Sequence, residues 1–142
     1  MAEKQTLGWR EWVAFTDLKL PRIKAKVDTG ARTSALHAFY TEPFERDGKR
    51  WVRFGVHPLQ DDDSEVVECE APVLDQRLVR DSGGHEELRL VIETTLSIGG
   101  SARRVEVTLT DRDSMKFRVL IGRSAMRGRY LVDPGRSFLC GK

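Results

Sequence analysis

Asp28, Thr29 and Gly30 close an alternating stretch, Ile23-Lys24-Ala25-Lys26-Val27, and lead into Ala31 and Arg32. A carboxylate placed where an extended segment breaks into a glycine turn is poorly explained by packing, because ionised Asp is rarely buried without a partner. The position suits an acid that takes or gives a proton, so Asp28 is the candidate catalytic residue. Taken alone the triplet is a weak motif, since an Asx-type turn closed by glycine uses the same residue types for local reasons.

Other residues offer less. The three histidines, His37, His57 and His85, are isolated from one another, and Ser34 beside His37 is a local coincidence within a strand-like stretch. No His-Glu-x-x-His pattern and no Gly-x-x-x-x-Gly-Lys-Ser/Thr loop occurs, so the sequence gives a metal centre or a nucleotide no local spacing. Cys69 and Cys140 lie 71 positions apart, and in a reducing compartment they are expected as thiols rather than a disulfide. Neither a metal nor another cofactor is expected. Trp9, Trp12 and Trp51 read as core or dimer-interface residues.

The elements that must position Asp28 read as short strands. Gly8–Phe15 is aromatic and β-branched, and Ile23–Val27 delivers the acid. Ser34–Tyr40 continues as a strand that Asp47-Gly48 pairs with Arg50–Val56. Val66–Glu70 is a short strand and Leu74–Val79 reads either way. Turns at Asp81–His85 and Ile98–Ser101 join Arg77–Arg80 to Glu87–Leu96 and that strand to Arg104–Leu109. Phe117–Gly122 is a last buried strand, and Arg123–Arg127 fits one or two helical turns. Tyr130–Val132 and Ser137–Leu139 flank a turn at Asp133-Pro134-Gly135. Many short strands with hardly any helical period predict an all-β barrel or packed sandwich, and no linker divides residues 1–142, so one domain is expected.

Composition agrees with a soluble globular chain, 39% apolar and 32% charged. No apolar run approaches a membrane span, and Met1–Thr6 shows no basic-then-apolar leader pattern, so a cytoplasmic protein with no membrane partner is expected. The net charge of +2 hides a segregation. Residues 1–40 hold seven Lys or Arg against four acids (+3), residues 41–100 seven against fourteen (−7), and residues 101–142 ten against four (+6). If the two basic parts meet in space, Asp28 sits in a field that attracts anions.

A longer pattern gives the triplet company. Val27-Asp28-Thr29-Gly30-Ala31, followed far downstream by Val119-Leu120-Ile121-Gly122-Arg123 and a short helical stretch, resembles the retropepsin family of aspartic proteases. The stretch Val27–Ala38, with Thr110-Asp111-Arg112, Met115, Leu120–Arg123 and Val132-Asp133-Pro134, looks more closely like a bacterial family. That family is linked to the RimK ATP-grasp glutamate ligase and is often labelled ATP-dependent zinc protease. The resemblance implies a closed barrel of six or more strands with one short C-terminal helix. It implies Asp28, Thr29 and Gly30 as the catalytic loop, with Leu120, Ile121, Gly122 and Arg123 closing the barrel beneath it. The zinc in the label finds no ligand spacing here, and any ATP dependence is assigned to a partner.

Aspartic proteolysis needs two carboxylates sharing one proton, because like charges about 3 Å apart cannot both ionise. This chain has one Asp-Thr-Gly, so a working site requires a C2 homodimer with Asp28 from each subunit. Arg32 stands where the retroviral enzymes usually carry an acid. It is therefore expected to face the cleft and meet a substrate carboxylate, while Arg123 is expected to pair with Asp111, Asp113 or Asp133. Ala31 and Arg32 are candidate substrate contacts. So are Gly83 and Gly84, whose glycine-rich turn is the candidate flap. The substrate expected is an acidic, glutamate-rich peptide or protein tail. Two other readings compete: a non-catalytic β-barrel that regulates a glutamate-ligase system, and a zinc-dependent protease as the label says. A nucleic-acid-binding barrel is disfavoured, because basic and aromatic residues do not interleave along a strand.

Overall fold

Residues 4–60, 62–80, 83–111 and 117–141 are described by a computed structural model. β1 (Gln5–Leu7) and β2 (Arg10–Phe15) open the chain, and a 3-10 turn over Thr16–Leu18 leads to β3 (Leu20–Val27). Alternation decides which faces are buried. Val13 and Phe15 of β2 and Ile23, Ala25 and Val27 of β3 are buried, while Lys24 and Lys26 take the outer face.

The segment expected as one strand over Ser34–Tyr40 divides in two. β4 (Ser34–His37) ends where Ala38 donates its N–H to the Thr110 carbonyl and Phe39 donates to that of Gly55. The chain changes partners there, and it is β5 (Tyr40–Arg46) that pairs with β6 (Lys49–Val56). The Asp47-Gly48 turn forms as expected, with φ of 53° and 77°, the positive pair a two-residue hairpin demands.

β7 (Val67–Arg80) is one strand of 14 residues, absorbing both the short strand expected at Val66–Glu70 and the undecided Leu74–Val79. Its register shifts between Val73 and Asp75, a bulge that breaks the alternation a sequence reading depends on. β8 (Glu86–Ile98) returns beside it, and Gly99-Gly100 turns the chain into β9 (Ser101–Thr110). β10 (Val119–Ile121), helix α1 (Arg123–Met126) and β11 (Tyr130–Val132) complete the order. β11 lies parallel to β1. Ser137–Leu139 is not a strand; Phe138 instead donates its N–H to Arg10 O and stacks on Trp12 at 5.8 Å. The tryptophans are half-buried rather than core.

Six strands close on themselves in the order β2, β3, β10, β4, β9, β8, with β8 pairing back to β2 through Ala14–Ser97 and Phe15–Leu96. The remaining strands β7, β6 and β5 extend outward from β8. The expected all-β architecture with a closed six-strand ring and one short helix near the C-terminus is borne out for the described residues. Leu36, Ile92, Val107, Val119 and Ile121 belong to its core.

One inward position is charged. Glu11 is wholly buried, and its carboxylate accepts N–H bonds from Gly8 (2.6 Å), Leu139 (2.9 Å) and Cys140 (3.1 Å). Three such bonds offset the cost of burying the group, and they clasp both ends of the chain to β2. Both cysteines are free thiols, as their separation implied. Burial pushes the Cys69 thiol up to about 12, so it carries no thiolate near neutral pH.

Candidate active site

β3 and β10 run parallel, with Val119 opposite Ala25 and Ile121 opposite Val27. Because β10 also pairs with β4, the loop from Asp28 to Thr33 must pass around the end of β10. Asp28 donates its N–H to Ile121 O at 2.9 Å, which continues the β3–β10 ladder up to the acid. Gly122 lies so close to this loop that a Cβ would stand 2.5 Å from the Thr33 carbonyl carbon. Only glycine admits that approach, and the Gly122 N–H is accepted by Ser34 Oγ at 3.0 Å.

The loop is fastened along its length. Arg123 N–H reaches Ala31 O at 2.8 Å and Ser124 N–H reaches Arg32 O at 2.9 Å. The Arg123 guanidinium donates from Nη1 to Thr29 O at 3.0 Å. The expected ion pair with Asp111 or Asp133 therefore does not form; the third candidate, Asp113, lies outside the described residues, as do Arg112 and Met115. A backbone carbonyl takes the place of the missing acid, because Arg32 occupies the position an acid would have held.

Asp28 is half-buried at the mouth of the ring, with Thr29, Gly30 and Arg32 exposed and Ala31 half-buried. Its Oδ1 accepts the Gly30 N–H at 3.0 Å, and a Cβ on Gly30 would meet the same oxygen at 3.2 Å. The local Asx turn is thus real, and glycine keeps it uncrowded. It fixes one carboxylate oxygen and leaves Oδ2 without a hydrogen bond among the described residues. The Thr29 hydroxyl likewise makes no bond within the chain among those residues.

Arg32 lines a cavity of about 420 Å³ with Thr33, Ser124 and, from β7 and β9, Arg77 and Arg104. Arg77 and Arg104 are already paired, with Glu106 at 2.7 Å and Asp17 at 2.8 Å. Arg32 forms no ion pair among the described residues. Arg32 is exposed as expected, but the cavity it lines is shared with Glu93 and Glu106 and not with Asp28. The hairpin turn between β7 and β8 keeps Gly83 and Gly84 exposed, with Gly84 at φ 82°, while Asp81 and Ser82 lie outside the described residues. The structure brings Asp28–Arg32 together with Leu120–Arg123, and no hydrogen bond joins Gly84 to the Asp28 loop among the described residues.

A buried polar chain escaped the sequence reading. The Arg89 guanidinium meets Glu87 at 3.2 Å and reaches Thr108 Oγ1 at 3.4 Å, and Thr108 donates to Ser34 O at 3.3 Å. Through Ser34 and Gly122 it runs from the β7–β8 hairpin to the Asp28 loop. Its one sequence signal is the polar face of β9, Thr108 and Thr110, in a strand buried on both sides. The described residues hold no group of three or more His, Cys, Asp or Glu placed for a metal, so they do not fit the zinc of the family label.

The family model of RimB-like proteins, described as the retropepsin-like aspartic endopeptidase RimB, matches residues 6–142. The chain belongs to the RimB-like family. It is 48% identical over 139 residues to a probable alpha-L-glutamate ligase of Shewanella pealeana and 51% identical over 141 residues to one of Parasynechococcus marenigrum. These alignments cover 98% and 99% of the chain but only 30% of each relative, in which a RimB-like region is joined to a longer ligase protein. A solved structure of a Legionella pneumophila protein of unknown function superposes with a TM-score of 0.78 at 26% identity, covering 97% of this chain and 99% of that one. The RimB-like chain is accordingly a retropepsin-like aspartic endopeptidase by family.

Proposed function

We propose that the protein hydrolyses peptide bonds in acidic, glutamate-rich tails, using a water-activating dyad made of Asp28 from each subunit of a homodimer. One observation carries the reading: Asp28 is half-buried at the ring mouth with one oxygen fixed by Gly30 and the other unbonded among the described residues. A lone carboxylate can activate water but cannot also protonate the carbonyl oxygen, and a second copy supplies that acid. One acid of the pair holds the shared proton and gives it to the substrate carbonyl oxygen. The other takes a proton from the attacking water and passes it to the amide nitrogen, so the C–N bond of the tetrahedral species breaks to release the amine and the acid product while one hydroxyl proton returns to the dyad. The unbonded Thr29 hydroxyl lies one residue from the axis, where it can brace the opposing loop.

The acidic substrate is supported by Arg32, which is exposed, forms no ion pair among the described residues and stands on the same loop as Asp28. A guanidinium fork suits a carboxylate. The joining of RimB-like regions to proteins named glutamate ligases supports the same substrate, since a hydrolase for glutamate tails would reverse what a ligase adds. The test is to incubate the protein with peptides ending in several glutamates or the same number of glutamines and follow cleavage by mass spectrometry. The glutamate series is expected to be cut, and Arg32→Glu to lower kcat/KM on it by about tenfold or more. Equal cutting of both series, or an Arg32→Glu variant as active as wild type, overturns the substrate assignment.

A further inference from the structure

The two chain segments that meet beside Asp28 are rich in cations, although Arg32 shares its cavity with Glu93 and Glu106. Between Lys26 and Thr33, and between Val119 and Tyr130, Asp28 is the sole acid among Lys26, Arg32, Arg123, Arg127 and Arg129. All five cations except Arg123, which holds Thr29 O, make no side-chain hydrogen bond, and none of the five forms an ion pair among the described residues. Elsewhere the picture is mixed: Arg46, Arg53, Arg77, Arg80, Arg104 and Arg118 each meet a carboxylate, whereas Arg22, Arg50, Arg103 and Arg136 form no ion pair among the described residues.

Backbone hydrogen bonds hold the segment that carries these arginines against the Asp28 loop. Arg123 and Ser124 bond the backbone of Ala31 and Arg32, Arg127 N–H closes on Arg123 O at 2.9 Å, and Arg129 N–H on Met126 O at 3.0 Å. The terminal segments are engaged within the protomer, β1 against β11 and Leu139–Cys140 on Glu11. They leave the Asp28 face to carry the contact between subunits.

We propose that this unpaired rim holds two ligand-free protomers apart, and that an acidic peptide closes the dimer by bridging the arginines of both. The inference rests on the Asp28 dyad, which brings each rim against its copy across the two-fold axis. Like charges repeated about that axis repel over roughly a Debye length, about 10 Å at 0.1 M salt. A row of carboxylates laid along the axis converts the repulsion into bidentate pairing. Substrate binding and dimerisation are then reciprocally coupled, so the dyad is assembled only on an acidic chain and loosens once the chain is cut short.

Sedimentation of the Asp28→Asn protein, which cannot consume its ligand, tests this at low and high salt with a short oligo-glutamate or oligo-glutamine. Oligo-glutamate is expected to tighten dimerisation by roughly tenfold or more at low salt, and oligo-glutamine to leave it unchanged. Salt alone should tighten the free dimer, by screening repulsion. An Arg127→Ser/Arg129→Ser double variant should dimerise more tightly without peptide and respond less to it. A dimer indifferent to oligo-glutamate, or one loosened by salt because acids of the partner already neutralise the rim, overturns the bridging while the dyad stands. A protein that stays monomeric in every condition while the wild type still cleaves removes the dyad and the bridging together.

Discussion

The Asp28 loop and the β7–β8 hairpin reach out from the same ring, yet different means hold them. Asp28–Arg32 is fixed by backbone bonds from Asp28 to Ile121 and from Arg123 and Ser124 to Ala31 and Arg32, by Arg123 on Thr29 O, and by a glycine contact that no larger residue fits. Beyond its bulge the hairpin has its ladder, the link of Arg89 and Glu87 to Thr108 and Thr110 at its base, and surface ion pairs such as Arg80–Glu86, and it exposes Leu74, Leu78 and Leu88. Exposed pairs contribute little, and strands with few buried contacts open at low free energy. The acid is placed by over-determination, and the outer part of the hairpin is held by fewer buried contacts.

Breaking the first region has the largest consequence. Asp28→Asn should reduce kcat by about 10³-fold or more with an unchanged circular dichroism spectrum and melting curve, since it removes the proton-handling group but keeps the Gly30 bond acceptor. Next comes Gly122→Ala, whose Cβ would press on the Thr33 carbonyl. Urea unfolding should show a loss of roughly 3 kcal/mol, with residual activity lowered because the loop shifts.

A smaller effect tests the fixed end of β8. Burial of Asp17 acts to raise its pKa, but hydrogen bonds from Thr94, Thr95 and Arg104 outweigh it and hold the carboxyl below its ordinary value. A depressed folded-state pKa stabilises above the unfolded value and is lost as pH falls through the folded one. Asp17→Asn should therefore melt below wild type at neutral pH, with the gap closing as pH drops below about 4. The smallest expected effect is in the hairpin: Leu78→Ser, at a side chain 62% exposed, should change stability by no more than about 0.5 kcal/mol. Hydrogen exchange over residues 76–80 and 86–90 should be much faster than over β3 and β10, and equal protection in both regions would abolish the contrast.

The better-fixed region was also the more legible one. Asp28-Thr29-Gly30 and Gly122-Arg123 stand out because backbone proximity restricts which residues can occupy those positions. The Asp47-Gly48 and Gly99-Gly100 turns are equally plain, since their positive φ angles favour few residue types. What could not be read depended on distant partners. Glu11 sits at a core position because the amides of Leu139 and Cys140 arrive there from 128 and 129 residues away. The exchange of partners between Ala38 and Phe39 leaves no mark on the run Ala35–Phe39, which is apolar but for His37. β7 hides because neither face of its outer half is buried, so no alternation records it. Arg123 was assigned an acid because charge is visible in a sequence, whereas a backbone carbonyl acceptor is not.

The central claim is that each site holds two copies of Asp28, and subunit mixing tests it most directly. Increasing amounts of Asp28→Asn protein are added to a fixed amount of wild type under conditions that favour dimer, with glutamate-tailed peptide in excess. If the acids act as a pair, mixed dimers are inactive and the rate falls steadily towards zero as the variant accumulates. A rate that stays fixed by the amount of wild type alone would mean that one Asp28 is sufficient, and would contradict the account.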